Sequence, residues 1–230
     1  MTFLPAATPQ TASFELRYPA CHDDSEGDCM RQGLAFALGY LRNPRRVGAI
    51  APASRALAQA ILHEVLKAPP KMLIEVGAGT GAITRALLPA LTRVERFMVI
   101  ERDPAFAQLL RRCFPDLEVL NHCATRLDAL DIDKSGAVTV VSSLPLLSMT
   151  RDEARGCIDA MVALIENRPG SRLIQYTYAS PHLRPFKDIP VGWRWRRATI
   201  IWVNLPPATV WTLEQSSHPS HPSHSHNGFH

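Results

Sequence analysis

The sequence predicts an α/β protein whose mostly parallel sheet closes with an antiparallel hairpin, and three observations predict it. From Lys71 onward, short apolar runs alternate with helical periods, the pattern of a parallel sheet with helices on its faces. A glycine-rich stretch, Gly77-Ala78-Gly79-Thr80-Gly81, stands between one such run and the helix after it. Near the end the alternation stops, and two strand-like segments follow each other across the short connection Asn204-Leu205-Pro206-Pro207.

Taken in order, residues 1–28 lack a sustained period and end in a polar, acidic run, so they read as a loose leader. Met30 to Leu41 has the spacing of a helix, with Met30, Leu34, Leu38 and Leu41 on one side and Asn43-Pro44 ending it. A second helix runs from an N-cap at Ser54 to Lys67, with Leu57, Ile61 and Val65 as its buried stripe. Met72–Val76 is the first strand and Ala82–Leu91 the helix after the glycines. Phe97–Glu101 is the second strand, followed by a helix from Pro104 to Cys113, where proline at the first helical position is tolerated. Leu117–Asn121 and Ala137–Ser142 are the third and fourth strands, Arg151–Glu166 a helix, and Arg172–Tyr178 the fifth strand. Trp193–Val203 and Ala208–Leu213 make the closing pair. The predicted folded domain therefore covers 29–214, and the His/Ser/Pro-rich tail 215–230 has too little apolar content to bury a core.

Composition bounds the function. The 230 residues, 46% hydrophobic and 20% charged, suit one globular domain with modest extensions. No stretch reaches the roughly 20 apolar residues a spanning helix needs, and the start does not read as a secretory signal. The five cysteines (Cys21, Cys29, Cys113, Cys123, Cys157) show neither a disulfide framework nor zinc spacing, so a cytoplasmic location and no metal are expected. The net charge of +4 is mild but unevenly placed: acids dominate 1–28, whereas Arg31, Arg42, Arg45, Arg46 and Arg55 stand without an acid between Cys29 and His63. That basic segment reads either as a phosphate-facing surface or as an ordinary solvated one.

The glycine stretch carries the chemistry. Glycines permit positive φ and let the backbone approach a ligand without a Cβ in the way, while the N–H groups of the next helix give the loop an electropositive rim. By itself the loop is ambiguous, because Gly77, Gly79 and Ala82 also satisfy the dinucleotide fingerprint. Three features turn it toward S-adenosylmethionine. Glu75 stands two residues ahead of Gly77, where a carboxylate can face the methionine amine. Glu101 ends the second strand, placed to accept the ribose hydroxyls. The motif also begins behind two predicted helices, whereas many dehydrogenases open with theirs.

Several blocks resemble the bacterial phospholipid N-methyltransferases of the branch similar to ribosomal-RNA adenine dimethyltransferases. They are Leu41-Arg42-Asn43-Pro44-Arg45-Arg46-Val47-Gly48-Ala49-Ile50-Ala51-Pro52, Glu75 to Thr84, Glu101-Arg102-Asp103-Pro104, Ser142-Ser143-Leu144-Pro145-Leu146-Leu147, Gln175-Tyr176-Thr177-Tyr178 and Val203 to Ala208. The resemblance implies a Rossmann-like class I fold with a seven-stranded sheet, and methylation of phosphatidylethanolamine toward phosphatidylcholine at the inner face of the cytoplasmic membrane. Other aminolipids, such as ornithine lipids, are substrates of relatives. The cofactor set it implies is Glu75, Gly77, Ala78, Gly79, Thr80, Gly81, Glu101, Arg102, Cys123, Ala124 and Ser142. Cys123 departs from the family, which usually has an aspartate there for the adenine amino group; a thiol is a weak acceptor.

For the acceptor site, the candidates are Ser143, Leu144 and Pro145 as wall and Tyr178 as the catalytic side chain, with Tyr176 and His122 as further groups near a departing proton. An aromatic ring there could also hold a methylated ammonium. The helix bearing Leu34, Leu38 and Leu41, followed by Arg42, Arg45 and Arg46, is expected to lie on an anionic membrane surface, where the aminophospholipid substrate resides. Trp193, Trp195 and Trp202, interleaved with Arg194, Arg196 and Arg197, read either as an aromatic–basic edge or as a sheet edge with tryptophan packed inward. RNA adenine dimethylation is the rival activity. Those enzymes place Asn-Leu-Pro-Tyr after the fourth strand and carry a helical RNA-binding domain; here the stretch is Ser143-Leu144-Pro145-Leu146 and no such domain is expected, so no nucleic acid is expected as partner. A degenerate cofactor-binding or membrane-remodelling protein is the non-enzymatic reading.

Overall fold

The computed structural model describes residues 53–130, 132, 135–178, 182–204 and 206–216. The predicted acidic leader, the helix Met30–Leu41, the segment 41–52 and most of the His-rich tail lie outside them.

Strands β1 (Met72–Val76), β2 (Arg96–Glu101), β3 (Glu118–Asn121), β4 (Val138–Ser142) and β5 (Arg172–Tyr178) run parallel. β7 (Ala208–Gln215) pairs antiparallel with β5, and β6 (Trp193–Ile201) pairs antiparallel with β7 at the edge. The order across the sheet is β3-β2-β1-β4-β5-β7-β6. Every residue of β1 and β4 is buried, as central parallel strands covered on both faces require. Because the chain leaves β1 toward β2 and β3 and then returns to β4 on the other side, a crevice opens beyond the carboxyl ends of β1 and β4.

Two apolar layers cover the sheet. Helix α1 (Arg55–Lys67), helix α2 (Ala82–Leu87) and helix α3 (Pro104–Cys113) join one core with Leu73, Val99, Val141, Ile174 and Val210. Helix α4 (Arg151–Ile165) and the 3-10 turn Ala124–Ala129 join the other with Ile74, Ile100, Val140 and Leu173. α4 opens with a capping box, Thr150 and Glu153 each satisfying the other's backbone N–H.

α1 begins where expected, with the Ser54 hydroxyl accepting from the Leu57 N–H at 3.1 Å. Its other end is held from beneath. Arg172 donates to the carbonyls of Glu64, Val65 and Ala68 at 3.1, 3.0 and 2.8 Å, satisfying acceptors that a helix C-terminus leaves open. Glu64, 3% exposed, accepts from Arg196 at 2.6 Å and from the Thr212 hydroxyl at 3.2 Å, and pairs with Lys67 at 2.6 Å. Burial works to raise the Glu64 pKa, but the bonds and charges of Lys67 and Arg196 outweigh it and hold the carboxyl near about 2. Helix α1 is thereby tied to the β6–β7 hairpin.

Two expectations change in detail. The helix after the glycines ends at Leu87 and continues as a 3-10 turn, Leu88–Arg93, because Pro89 has no N–H to give to a preceding turn. β6 stops at Ile201 rather than Val203: Trp202 and Val203 stand 68% and 82% exposed in the turn, and Asn204 is turned inward. Of the two readings of the tryptophan-rich strand, the inward one holds for Trp193 and Trp195, whose neighbours Arg194 and Arg196 face out. Trp195 donates its indole N–H to the Phe186 carbonyl at 2.9 Å. Cys113 is disulfide-bonded, although the cysteine spacing suggested no disulfide framework, while Cys123 and Cys157 are free.

Replacing Glu64 with alanine would leave Arg196 and Thr212 facing a void. The expected loss is about 2 kcal/mol at neutral pH, less than for a fully buried pair because Arg196 and Lys67 are half exposed. Since the folded pKa lies below the unfolded one, this contribution is full above about pH 4.5 and lost as pH falls through about 2. Urea melts of wild type and Glu64→Ala should therefore differ at pH 7 and converge near pH 2.

Candidate cofactor and acceptor site

The glycine loop lies at the crevice, between β1 and α2. Its backbone is stitched to both neighbouring strands: the Gly77 N–H donates to the Ile100 carbonyl at 2.8 Å, and the Ser143 N–H donates to the Val76 carbonyl at 2.9 Å. Gly77, Gly79 and Gly81 have φ of +78°, +55° and +82°, a region L side chains rarely adopt. Their surroundings differ. A Cβ on Gly77 would come within 2.8 Å of Leu144, and one on Gly81 within 2.7 Å of Phe114 and 2.9 Å of Leu110. A Cβ on Gly79 would meet no heavy atom within 4 Å. Two glycines are thus needed for packing, and the third leaves open space over the loop.

Glu101 closes this loop from β2. One carboxylate oxygen accepts the Gly79 N–H at 2.8 Å and the other accepts the Asp103 N–H at 2.8 Å. Asn121, at the end of β3, donates to the carbonyls of Glu101 and Arg102 at 2.9 and 2.8 Å, holding the strand end in register. Asp103 then caps α3 by accepting from Ala105 and Phe106. Each Glu101 oxygen keeps a further lone pair for another donor.

Behind the loop, Glu75 is fully buried, and neither of its oxygens has a hydrogen-bond partner. Burial, joined by the Glu101 charge and opposed by Thr84, pushes its pKa up to about 8. On the other flank, the Cys123 sulfur lies 3.2 Å from the Thr125 hydroxyl. Burial acts to raise that thiol, but Thr125, Arg102 and Arg126 prevail and hold it below the usual thiol range. Ala124 begins the 3-10 turn beside it.

The expected cofactor residue Ser142 and the expected acceptor residues lie at the carboxyl ends of the paired strands β4 and β5. Ser142 is fully buried and its hydroxyl accepts from the Leu144 N–H at 3.3 Å. The Ser143 hydroxyl is buried without a partner, and Leu144 packs over Gly77. The Leu144 carbonyl accepts from Gln175 at 3.0 Å, and the Pro145 carbonyl closes the following turn. Tyr176 and Tyr178 meet edge to face, 5.6 Å between centroids. Burial raises the pKa of both phenols, so they stay protonated at neutral pH and serve as hydrogen-bonding groups rather than bases. Tyr178 borders Ser54, whose hydroxyl donates to the Asn204 side chain at 2.6 Å, so the α1 N-terminus and the hairpin turn meet at the rim. His122 stands apart from the tyrosines, its Nε2 2.6 Å from the Arg126 carbonyl. Thr84, Asn121 and Gln175 escaped the sequence reading as site residues: each looks like an ordinary polar position, and the packing of α2 and the pairing of β3 and β5 into the sheet bring them here.

This is the fold of the Rossmann-like class I methyltransferases, and the group the glycine loop serves is S-adenosylmethionine. The residues fit it: open space over Gly79, free lone pairs on Glu101 and an unpartnered carboxyl at Glu75. The chain carries an S-adenosylmethionine-dependent methyltransferase domain. It is similar to an ornithine lipid N-methyltransferase of Singulisphaera acidiphila, 28% identical over 55% of this chain and 68% of that protein. It is also similar to ribosomal RNA small subunit methyltransferase A of Chlorobium limicola, 22% identical over 55% of this chain, and of Desulfitobacterium hafniense, 28% identical over 59%. The chain spans 51% and 46% of those two proteins, about half their length. Among solved structures, 23S rRNA methyltransferase ErmE superposes with a TM-score of 0.51 at 17% identity, covering 74% of this chain and 71% of that one. Putative methyltransferase yhhF from Escherichia coli does so with 0.53 at 13%, covering 74% and 90%. No protein-family model matches the chain.

The glycines should separate in experiment. Gly81→Ala is expected to destabilise the fold by about 3 kcal/mol through strain and overpacking. Gly79→Ala should cost only about 1 to 2 kcal/mol, the backbone strain alone. Gly79→Ala should nonetheless weaken S-adenosylmethionine roughly tenfold or more by filling the space over the loop. Thermal melts and calorimetric titration read the two effects independently.

Proposed function

We propose that the chain methylates the amine headgroup of a membrane aminolipid, phosphatidylethanolamine toward phosphatidylcholine. The observation that carries this reading is the wall after β4. Ser143 offers a buried hydroxyl with no assigned partner beside Tyr176, and no aromatic ring follows Pro145 to stack on a base. A small polar acceptor between apolar walls suits an amine better than a flipped adenine.

S-adenosylmethionine, when bound, supplies an electrophilic methyl group on a sulfonium. The work of this chain is then alignment and exclusion of water. The Ser143 hydroxyl can accept from an incoming amine N–H and orient its lone pair. Tyr178 and Tyr176 present ring surface to the developing ammonium charge. Leu144 and Pro145 shut the side of the crevice that faces the loop.

A second reading is favoured by one observation, the similarity to an ornithine lipid N-methyltransferase. There the acceptor would be the amine of an ornithine headgroup, with the same wall in use.

The membrane contact assigned to Leu34, Leu38, Leu41, Arg42, Arg45 and Arg46 lies outside the described residues and is part of this proposal. No helix among the described residues is long and apolar enough to cross a membrane.

Expression in a bacterium lacking methylated lipids, followed by lipid mass spectrometry, tests the acceptor. Mono-, di- or trimethylated phosphatidylethanolamine is the expected product; methylated ornithine lipid alone moves the assignment to the second reading, and neither product overturns both. Ser143→Ala should cut turnover roughly tenfold or more while S-adenosylmethionine still binds. For the membrane surface, charge reversal at Arg45 and Arg46 should release the protein from anionic vesicles in sedimentation; unchanged pelleting counts against that contact.

A further inference from the structure

Glu75 is the one acidic side chain among the described residues with no exposure at all. It lies in β1 on the face of Leu73, beneath α1 and α2, two residues before the loop. A carboxylate held there without water or hydrogen bonds costs several kcal/mol, so the group takes a proton unless a positive charge comes to meet it. The groups facing it leave that charge unsupplied. From β2, Glu101 adds a like charge. From α2, Thr84 turns its hydroxyl and amide toward the carboxyl, which favours the ionised form but does not outweigh burial. From β5, Tyr176 is a protonated phenol, with the unpartnered Ser143 hydroxyl beside it. From β4, Val141 is apolar. α1 lays Leu57, Ala58 and Ile61 in the same core and turns its buried charge, Glu64, to Arg196 and Thr212. No cationic side chain among the described residues acts on Glu75.

A charge mismatch of this kind, at the foot of a loop that takes a sulfonium nucleoside, has a direct thermodynamic consequence. We propose that Glu75 is the proton store of the cofactor site: a neutral carboxylic acid while the crevice is empty, it releases its proton to solvent as the cationic S-adenosylmethionine binds. The balance is simple: carboxylic acid plus monocationic cofactor gives a carboxylate–cofactor ion pair plus one proton, with no bond made or broken in the cofactor. Binding therefore strengthens as pH rises, up to tenfold per unit, and levels off near pH 8, where the empty site has already ionised. The loaded site then holds an ionised carboxylate on the same face as Ser143 and Tyr176, able to receive the proton that an acceptor ammonium must lose.

The sign for the free protein is opposite. The folded pKa lies above the unfolded one, so the stability gained from Glu75 protonation is present below about pH 4.5 and lost as pH rises through about 8.

Calorimetric titration of the full chain with S-adenosylmethionine at pH 6.5, in buffers of differing ionisation enthalpy, counts the protons. About one proton released is expected for wild type and about none for Glu75→Gln, whose amide copies the shape of the neutral acid. Between pH 6 and 7 the wild-type association constant should rise about tenfold, and that of Glu75→Gln should stay nearly flat. A wild-type enthalpy independent of buffer overturns the proposal, as does an equal proton count in Glu75→Gln. Should the variant not fold, infrared difference spectroscopy on wild type decides: loss of a protonated-carboxyl band on cofactor addition supports the store, and its persistence overturns it. No binding heat in any buffer would instead remove the cofactor assignment itself, so the two failures are distinguishable.

Discussion

The hydrogen bond from the Gly79 N–H to Glu101 ties the loop after β1 to the end of β2, at the place where the chain reverses its direction across the sheet. Glu101 reaches that N–H at 2.8 Å, Gly79 has φ of +55°, and Asn121 holds the end of β2 in place. The same carboxylate steadies Asp103, which caps α3. A single side chain thus sets the loop, the strand end and a helix start together. Its remaining lone pairs stay available to a further donor.

The opposite end of the same layer is secured by different chemistry. Arg172 collects three carbonyls from the end of α1, and Glu64 gathers Lys67, Arg196 and Thr212. These bonds fasten the helix to the hairpin far from the crevice, so the α1 N-terminus and the hairpin turn can meet at the rim through Ser54 and Asn204.

Several buried polar atoms near the sheet's carboxyl end stand without partners. Both Glu75 oxygens and the hydroxyls of Thr84 and Ser143 are buried without partners. In an apolar core such atoms would be a plain loss of stability; next to an open glycine loop they are places for a ligand's charge and hydrogen bonds. The raised pKa of Glu75 and the protonated tyrosines follow from the same dryness. Cofactor charge and acceptor proton are therefore linked through one pocket of low polarity.

The sequence by itself determined the elements and the cofactor loop. The periods at Leu57, Ile61 and Val65, the apolar runs of β1 and β4 and the glycines at 77, 79 and 81 are local signals, set by helix and strand spacing and by backbone sterics, and they survive into the structure with only end shifts at Leu87 and Ile201. Glu75 and Glu101 were legible as acids near the loop, because their distance along the chain from the glycines is short. Their opposite states were not legible: one is bonded twice to backbone and the other to nothing, and that depends on which face of which strand each occupies. Likewise Thr84, Asn121 and Gln175 carry no mark of their role in one dimension. Asn121 finds its partners at the end of β2 and Gln175 one of its own in the turn after β4, and the sign of a buried residue's pKa is decided by everything packed around it, which is a property of the tertiary structure alone.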